Sequence, residues 1–227
     1  MLFTRANIAK LAVMPCTAVL ALPGAPAHGQ APSESGGALA ASEGQPALFA
    51  GPGALLGRTL HLRGTLPSDG SRTVRLERLE ASRWIPVAHA QTAADGTFLA
   101  RWRTDILGDH AVRAVPAETS RGATTASAGP LARVTVFRPV RATWYGPGFF
   151  GRRTACGQTM SRSLRGVAHR TLPCGTNVEI YRAGRRTSAP VVDRGPYANG
   201  AHYDLTQATA REVGLAATET IGVLPRR

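Results

Sequence analysis

The chain has 227 residues, carries 27 Lys and Arg against 14 Asp and Glu, and has a formal net charge of +13. That length allows one or two domains of ordinary size and excludes a large multidomain assembly. The only lysine is Lys10, so beyond it the chain is basic through arginine alone, whose fork grips phosphate and carboxylate bidentately.

Residues 1–27 read as a secretory signal peptide. Arg5 and Lys10 give a positive start, residues 11–22 are mostly apolar, and Ala25-Pro26-Ala27 offers small residues for cleavage before His28. The apolar run is too short to span a bilayer, so no transmembrane segment is expected in the mature chain. Pro15 and Pro23 argue against a buried helix. Val13-Met14-Pro15 ahead of Cys16 fits a lipid-attachment site poorly, and a soluble exported protein of the periplasm or cell wall is expected. Export directs the arginine charge away from nucleic acid and toward anionic wall polymers, phospholipid headgroups and carboxylates of the envelope.

Residues 28–45, rich in Ala, Gly, Ser and Pro, cannot bury a core and read as a flexible linker. Over 46–139 short runs alternate apolar and polar, among them Thr59-Leu60-His61-Leu62-Arg63, Thr73-Val74-Arg75-Leu76-Glu77 and Val112-Arg113-Ala114-Val115. Turn signals at Pro67-Ser68-Asp69-Gly70, Asp95-Gly96 and Gly108-Asp109 separate them. Six or so such strands predict a small antiparallel, immunoglobulin-like β-sandwich with Trp84, Phe98 and Trp102 as core aromatics. It carries no catalytic constellation, which leaves a spacer or adhesion role.

Arg138-Pro139 marks a boundary, and 140–227 form a second, mainly β domain. Strands are predicted near 140–145, 167–169, 177–181, 188–192 and 221–224. One helix is predicted over 207–213, capped by Thr206 and stopped by Gly214. Loss of Cys16 with the leader leaves Cys156 and Cys174, an even pair that reads as a disulfide in an exported chain. Closing that loop stabilises the fold by roughly 3 kcal/mol in the chain-entropy model.

This segment carries an ordered set of motifs: Ala142-Thr143-Trp144-Tyr145-Gly146, Thr154-Ala155-Cys156-Gly157, Ala168-His169-Arg170-Thr171-Leu172-Pro173, Val192-Asp193-Arg194-Gly195-Pro196-Tyr197 and Tyr203-Asp204-Leu205-Thr206. In combination they resemble the double-psi β-barrel of the rare lipoprotein A family, septal ring lytic transglycosylases. The stretch His202-Tyr203-Asp204-Leu205 is similar to one in the first domain of expansins. The resemblance implies a six-stranded barrel with a polar groove for an extended polysaccharide, here peptidoglycan glycan strands, and it covers under half of the chain.

Glycoside cleavage needs an acid to protonate the leaving oxygen. A lytic transglycosylase manages with one such group, because the sugar's own 6-hydroxyl attacks the anomeric carbon and leaves a 1,6-anhydro-muramic acid end. The domain holds five carboxylates: Glu179, Asp193, Asp204, Glu212 and Glu219. Asp193 ends an apolar strand before a Gly-Pro turn, a place that suits a desolvated general acid of raised pKa; the alternative is an Asp that anchors its loop. His169 is expected to orient that acid or relay its proton. Asp204 is expected to bind sugar hydroxyls, to carry the acid role itself, or to help cap the helix. Tyr145, Trp144, Arg170 and Arg194 complete a substrate-binding set. Family members often place Glu where this chain has Gln158, whose amide cannot exchange a proton but still hydrogen-bonds. Gln158 therefore favours a second reading, a non-catalytic, expansin-like glycan-binding protein. A third would make His169, Asp193, His202 and Asp204 ligands of a zinc peptidase, although their spacing matches no zinc motif; no cofactor or metal is expected.

Overall fold

The computed structural model describes residues 45–67, 70–118, 129–198 and 200–226. The expected signal peptide and all of the expected linker before Gln45 lie outside them, as do Ser68 and Asp69 of the first predicted turn. The strands β1 (Ala47–Ala50), β2 (Ala54–Leu55), β3 (Thr59–Thr65), β4 (Thr73–Glu80), β5 (Arg83–Gln91), β6 (Thr97–Arg103) and β7 (Gly108–Pro116) precede the long β8 (Leu131–Tyr145). After it come β9 (Val167–Ala168), β10 (Asn177–Arg182), β11 (Arg185–Asp193), β12 (Tyr203–Thr206), α1 (Gln207–Val213) and β13 (Glu219–Arg226). Among the described residues no helix is long and apolar enough to cross a membrane.

Strict alternation in β3 and β6 sends Leu60, Leu62, Phe98, Ala100 and Trp102 inward and their neighbours to water. These strands and β1 form a three-stranded sheet in the order β1-β3-β6. Its buried face shares a core with Val74, Leu76, Val112, Ala114, Val134 and Val136 from β4, β7 and β8. Trp84 departs from expectation. It lies on β5, the edge strand of its sheet, only half-buried, with the Arg113 guanidinium 4.3 Å from its ring centroid. Arg113 and Arg75 both donate at 2.8 Å to the buried Glu77 carboxylate, so Trp84 covers a charged cluster rather than filling the core.

At Arg138-Pro139 the backbone does not leave its strand. β8 runs through as 15 residues and changes neighbours there. Its first half pairs with β7 and β2, its second with β13 and β12. Pro139 lacks the N–H that one set of neighbours would need, which suits an exchange point. Phe137, wholly buried just before it, stacks on Tyr181 at 5.2 Å between centroids. Gly222 admits this ring: a Cβ there would lie 2.6 Å from Phe137 Cβ and 2.7 Å from Leu55 Cδ2. Arg226 adds an ion pair to Asp109 on β7 at 2.8 Å and another to Glu179 on β10 at 3.0 Å.

The second half of β8 opens a ring that closes on itself in the order β8-β13-β10-β11-β9-β12-β8. The β8–β12 and β9–β11 pairs are parallel and the others antiparallel. This is the six-stranded barrel expected, filled by Val140, Ala142, Val167, Val178, Ile180, Val191, Leu205, Ile221 and Val223. α1 spans the predicted residues, with the Thr206 hydroxyl accepting from the Thr209 amide and Gly214 left-handed at φ 71°.

Candidate active site

Two carboxylates of the barrel differ from the rest. Glu179 pairs with Arg186 and Arg226, Glu212 with Arg165, and Glu219 with Arg182. Asp193 and Asp204 have no arginine partner among the described residues and face a common region of the barrel wall. Strand pairing puts them there: Ala168 on β9 is opposite Asp193 on one side and Asp204 on the other, and Thr143 on β8 is opposite Asp204. With one strand between them, their Cα atoms are about 10 Å apart.

Thr143 and Tyr145, two residues apart on β8 and so on one face, each reach one of these carboxylates. The Thr143 hydroxyl donates to Asp204 Oδ1 at 2.8 Å, and the Tyr145 hydroxyl donates to Asp193 Oδ2 at 3.3 Å. Asp193 Oδ1 also accepts the amides of Ala155 and Arg194, each at 2.8 Å. Asp193 therefore anchors both its own loop and the turn leading to Cys156. The upward pKa shift expected of the general acid is found at Asp204. Burial pushes its carboxyl up, the Thr143 hydrogen bond opposes this, and the negative charge of Asp193 adds to it. Burial, and then Asp193, also raise the Tyr145 phenol, which stays protonated.

His169 follows Ala168, and its amide donates to the Asp193 carbonyl at 3.2 Å. The imidazole lies 4.6 Å from the Tyr203 ring. Its Nδ1 accepts the amides of Thr171 and Leu172 at 3.2 and 3.0 Å, so the neutral ring carries its hydrogen on Nε2. Burial lowers its pKa, and the nearby Arg194, Arg170 and His202 charges lower it further. A ring so held suits an orienting donor; it does not suit a relay that passes a proton through both nitrogens.

The two arginines expected at the substrate are spent on backbone instead. Arg170 donates to the carbonyls of Pro196 and Ala201 at 2.6 and 3.1 Å. Arg194 donates to Leu172 O at 3.0 Å and approaches Cys174 Sγ at 3.3 Å. They stitch together the loops around the site. Cys156 and Cys174 form the disulfide, with Cα atoms 5.7 Å apart. Gln158 is exposed, and its Oε1 accepts the Thr154 hydroxyl at 3.0 Å, closing its own turn. Among the described residues no group of three or more His, Cys, Asp or Glu side chains is placed to hold a metal ion.

A groove of about 520 Å³ passes Asp204, bounded by Thr143, Trp144, Pro196, Tyr197, Ala217 and Thr218. Trp144 is 36% exposed, and its indole N–H is fixed on the Ala216 carbonyl at 3.0 Å. It stands between this groove and a second hollow of about 390 Å³ over α1. Tyr197, 77% exposed, also lines the groove and was not singled out from sequence. Thr143 was also missed, although its place two residues before Tyr145 in a predicted strand is the signal that would find it.

Residues 139–225 match the family described as lytic transglycolase, the double-psi barrel. The chain is 45% identical over 76 residues to the "Probable endolytic peptidoglycan transglycosylase RlpA" of Synechocystis, covering 33% of this chain and 24% of that protein. The likeness to the protein of that name from Aquifex aeolicus is 43% over 86 residues, or 37% of each chain. With the "Endolytic peptidoglycan transglycosylase RlpA" of Campylobacter jejuni it is 36% over 84 residues, covering 36% and 30%. The chain thus spans between about a quarter and two fifths of these relatives' length. Among solved structures it is similar to Streptomyces papain inhibitor, at 27% identity and a TM-score of 0.29, over 37% of this chain and 91% of that one. Residues 45–138 lie outside the family match.

Proposed function

We propose, from the premise that residues 139–225 are a double-psi barrel of the rare lipoprotein A, lytic transglycosylase type, that this is an exported cell-wall enzyme that cleaves peptidoglycan glycan strands. The observation that carries the reading is the pairing of Asp204, whose carboxyl burial and the charge of Asp193 push up and which is open to a groove, with Asp193, fixed one strand away. Asp204 donates its proton to the glycosidic oxygen as the bond to the anomeric carbon breaks. Asp193, held by two amides and the Tyr145 hydroxyl, faces the positive charge that develops on the sugar. The Asp204 carboxylate then takes the proton of the sugar's 6-hydroxyl as that oxygen closes on the anomeric carbon, giving a 1,6-anhydro end without water. Trp144 and Tyr197 offer ring faces for flanking sugars, and the His169 Nε2–H orients a groove oxygen. Export is supported by the leader-like residues 1–27 and by the Cys156–Cys174 bond, which persists in oxidising compartments.

Gln158 supports a second reading, a groove that binds glycan without turning it over, since the amide is committed to Thr154 and carries no exchangeable acid proton. One experiment separates the two. The full chain and its Asp204→Asn and Asp193→Asn variants are incubated with peptidoglycan, intact and stripped of stem peptides, and products are read by mass spectrometry. Anhydro-muramic ends from the wild type, reduced about a hundredfold or more in Asp204→Asn, are the expected result. If no protein makes them while all co-sediment with the polymer, the enzyme reading is wrong and glycan binding replaces it.

A further inference from the structure

The outward face of the β1-β3-β6 sheet gathers basic side chains with no acidic neighbour across the strands. Register sets its rows: Thr59 opposite Arg103, His61 opposite Arg101, Phe49 and Leu99 on either side of Arg63, and Ala47 and Thr97 on either side of Thr65. No acidic residue stands in any row. The nearest carboxylate at the turn end, Asp95, is taken by the amide and hydroxyl of Thr97 at 2.9 and 2.7 Å. His61, Arg63, Arg101 and Arg103 are all exposed. None makes an ion pair or side-chain hydrogen bond among the described residues, whereas Arg75, Arg113, Arg165, Arg182, Arg186 and Arg226 are all paired. On either side of Arg63, Phe49 at 56% and Leu99 at 49% exposure edge a shallow groove of about 640 Å³.

The arginines are also evenly spaced. Arg101 and Arg103 are alternate residues of one strand, about 7 Å apart at 3.4 Å per residue. Arg63 is the diagonal neighbour of Arg101, again about 7–8 Å away. Three arginines rooted on the sheet at steps of about 7 Å suit a chain with one negative charge per sugar or polyol unit, and bidentate phosphate contacts suit arginine. Phe49 and Leu99, flanking Arg63, give the carbon skeleton a surface to rest on.

We propose that this face binds a phosphodiester-linked polyol or sugar polymer of the cell wall, holding the enzyme beside its peptidoglycan substrate. The choice of a wall polymer over other polyanions rests on the peptidoglycan reading given above. The test uses the full chain and lipid-free poly(glycerol phosphate), with affinity measured across a range of salt. The triple variant Arg63→Gln, Arg101→Gln, Arg103→Gln is compared with Arg83→Gln, Arg133→Gln, Arg185→Gln, which removes the same charge from exposed positions elsewhere. About tenfold weaker binding for the first and near-wild-type binding for the second is expected, with a salt slope reduced by roughly the three charges removed. Equal weakening by both triples would reduce the effect to net charge and overturn the proposal. So would single-stranded DNA bound as tightly and lost through the same substitutions. Peptidoglycan cleavage by the same preparations keeps the readings apart. Polymer binding without cleavage defeats the enzyme assignment alone, and cleavage without polymer binding defeats this one alone.

Discussion

Asp204 is partly buried beside Asp193, and both burial and that neighbouring charge disfavour its ionised form. Its folded-state pKa is raised, so its contribution to stability is present below the unfolded value and lost as pH rises through the folded one. Asp204→Asn keeps the oxygen that accepts from Thr143 and removes the charge. The variant is therefore expected to lose cleavage while melting a few degrees higher at neutral pH, with the gap closing in acid; thermal denaturation across pH checks this. On the proposed mechanism, wild-type cleavage is expected to fall on the alkaline side as Asp204 ionises, which a pH–rate profile checks. His169 behaves in the opposite sense. Its pKa is lowered, so its contribution is complete above the ordinary histidine value near 6.5 and is lost as pH falls through the folded value. Nitrogen chemical shifts should report a proton on Nε2 and none on Nδ1 through neutral pH. A ring protonated on both nitrogens there would remove the orienting role.

At the scale of elements, much of the barrel could be read in advance. Thr206 and Gly214 bracket α1 where their capping chemistry requires, and alternation located the core residues of β3 and β6. Replacing Thr206 with Ala should cost about 1 kcal/mol in denaturant unfolding, as for other lost caps. Other features were hidden for identifiable reasons. β10 and β11 form one hairpin around Ala183 and Gly184, both at positive φ, and Ala in the first place is a weak turn signal. β12, only four residues long, reads as a motif in sequence and becomes a strand because β8 and β9 flank it. Asp193 and Asp204 were both legible as candidates. Which of them its surroundings push up was not, because burial and the partners from Thr143, Ala155 and Tyr145 arise only when distant segments meet. The loop contacts of Arg170 and Arg194 were hidden for a related reason: the carbonyls they donate to come from segments distant in sequence.

For the molecule as a whole, Phe137 joins the two cores through Tyr181, Gly222 and Leu55. Phe137→Ala should destabilise by about 3–5 kcal/mol. Signals from Trp102 in one core and Tyr203 in the other should shift together in a single unfolding transition. Two separated transitions would show that the halves fold independently. Loss of the Cys156–Cys174 bond, by paired Ser substitutions, is expected to cost roughly 3 kcal/mol and to loosen the turn that anchors Asp193 through Ala155.

A strand of 15 residues shared by both halves is about 50 Å of backbone that cannot fold back on itself. Swinging one end against the other would break its pairing to β13 and β12 or to β7 and β2. β8 therefore serves as a ruler rather than a tether. If the upstream half grips one polymer and the groove another, as proposed, the two are held at a set stride and tension in one reaches the other through covalent backbone.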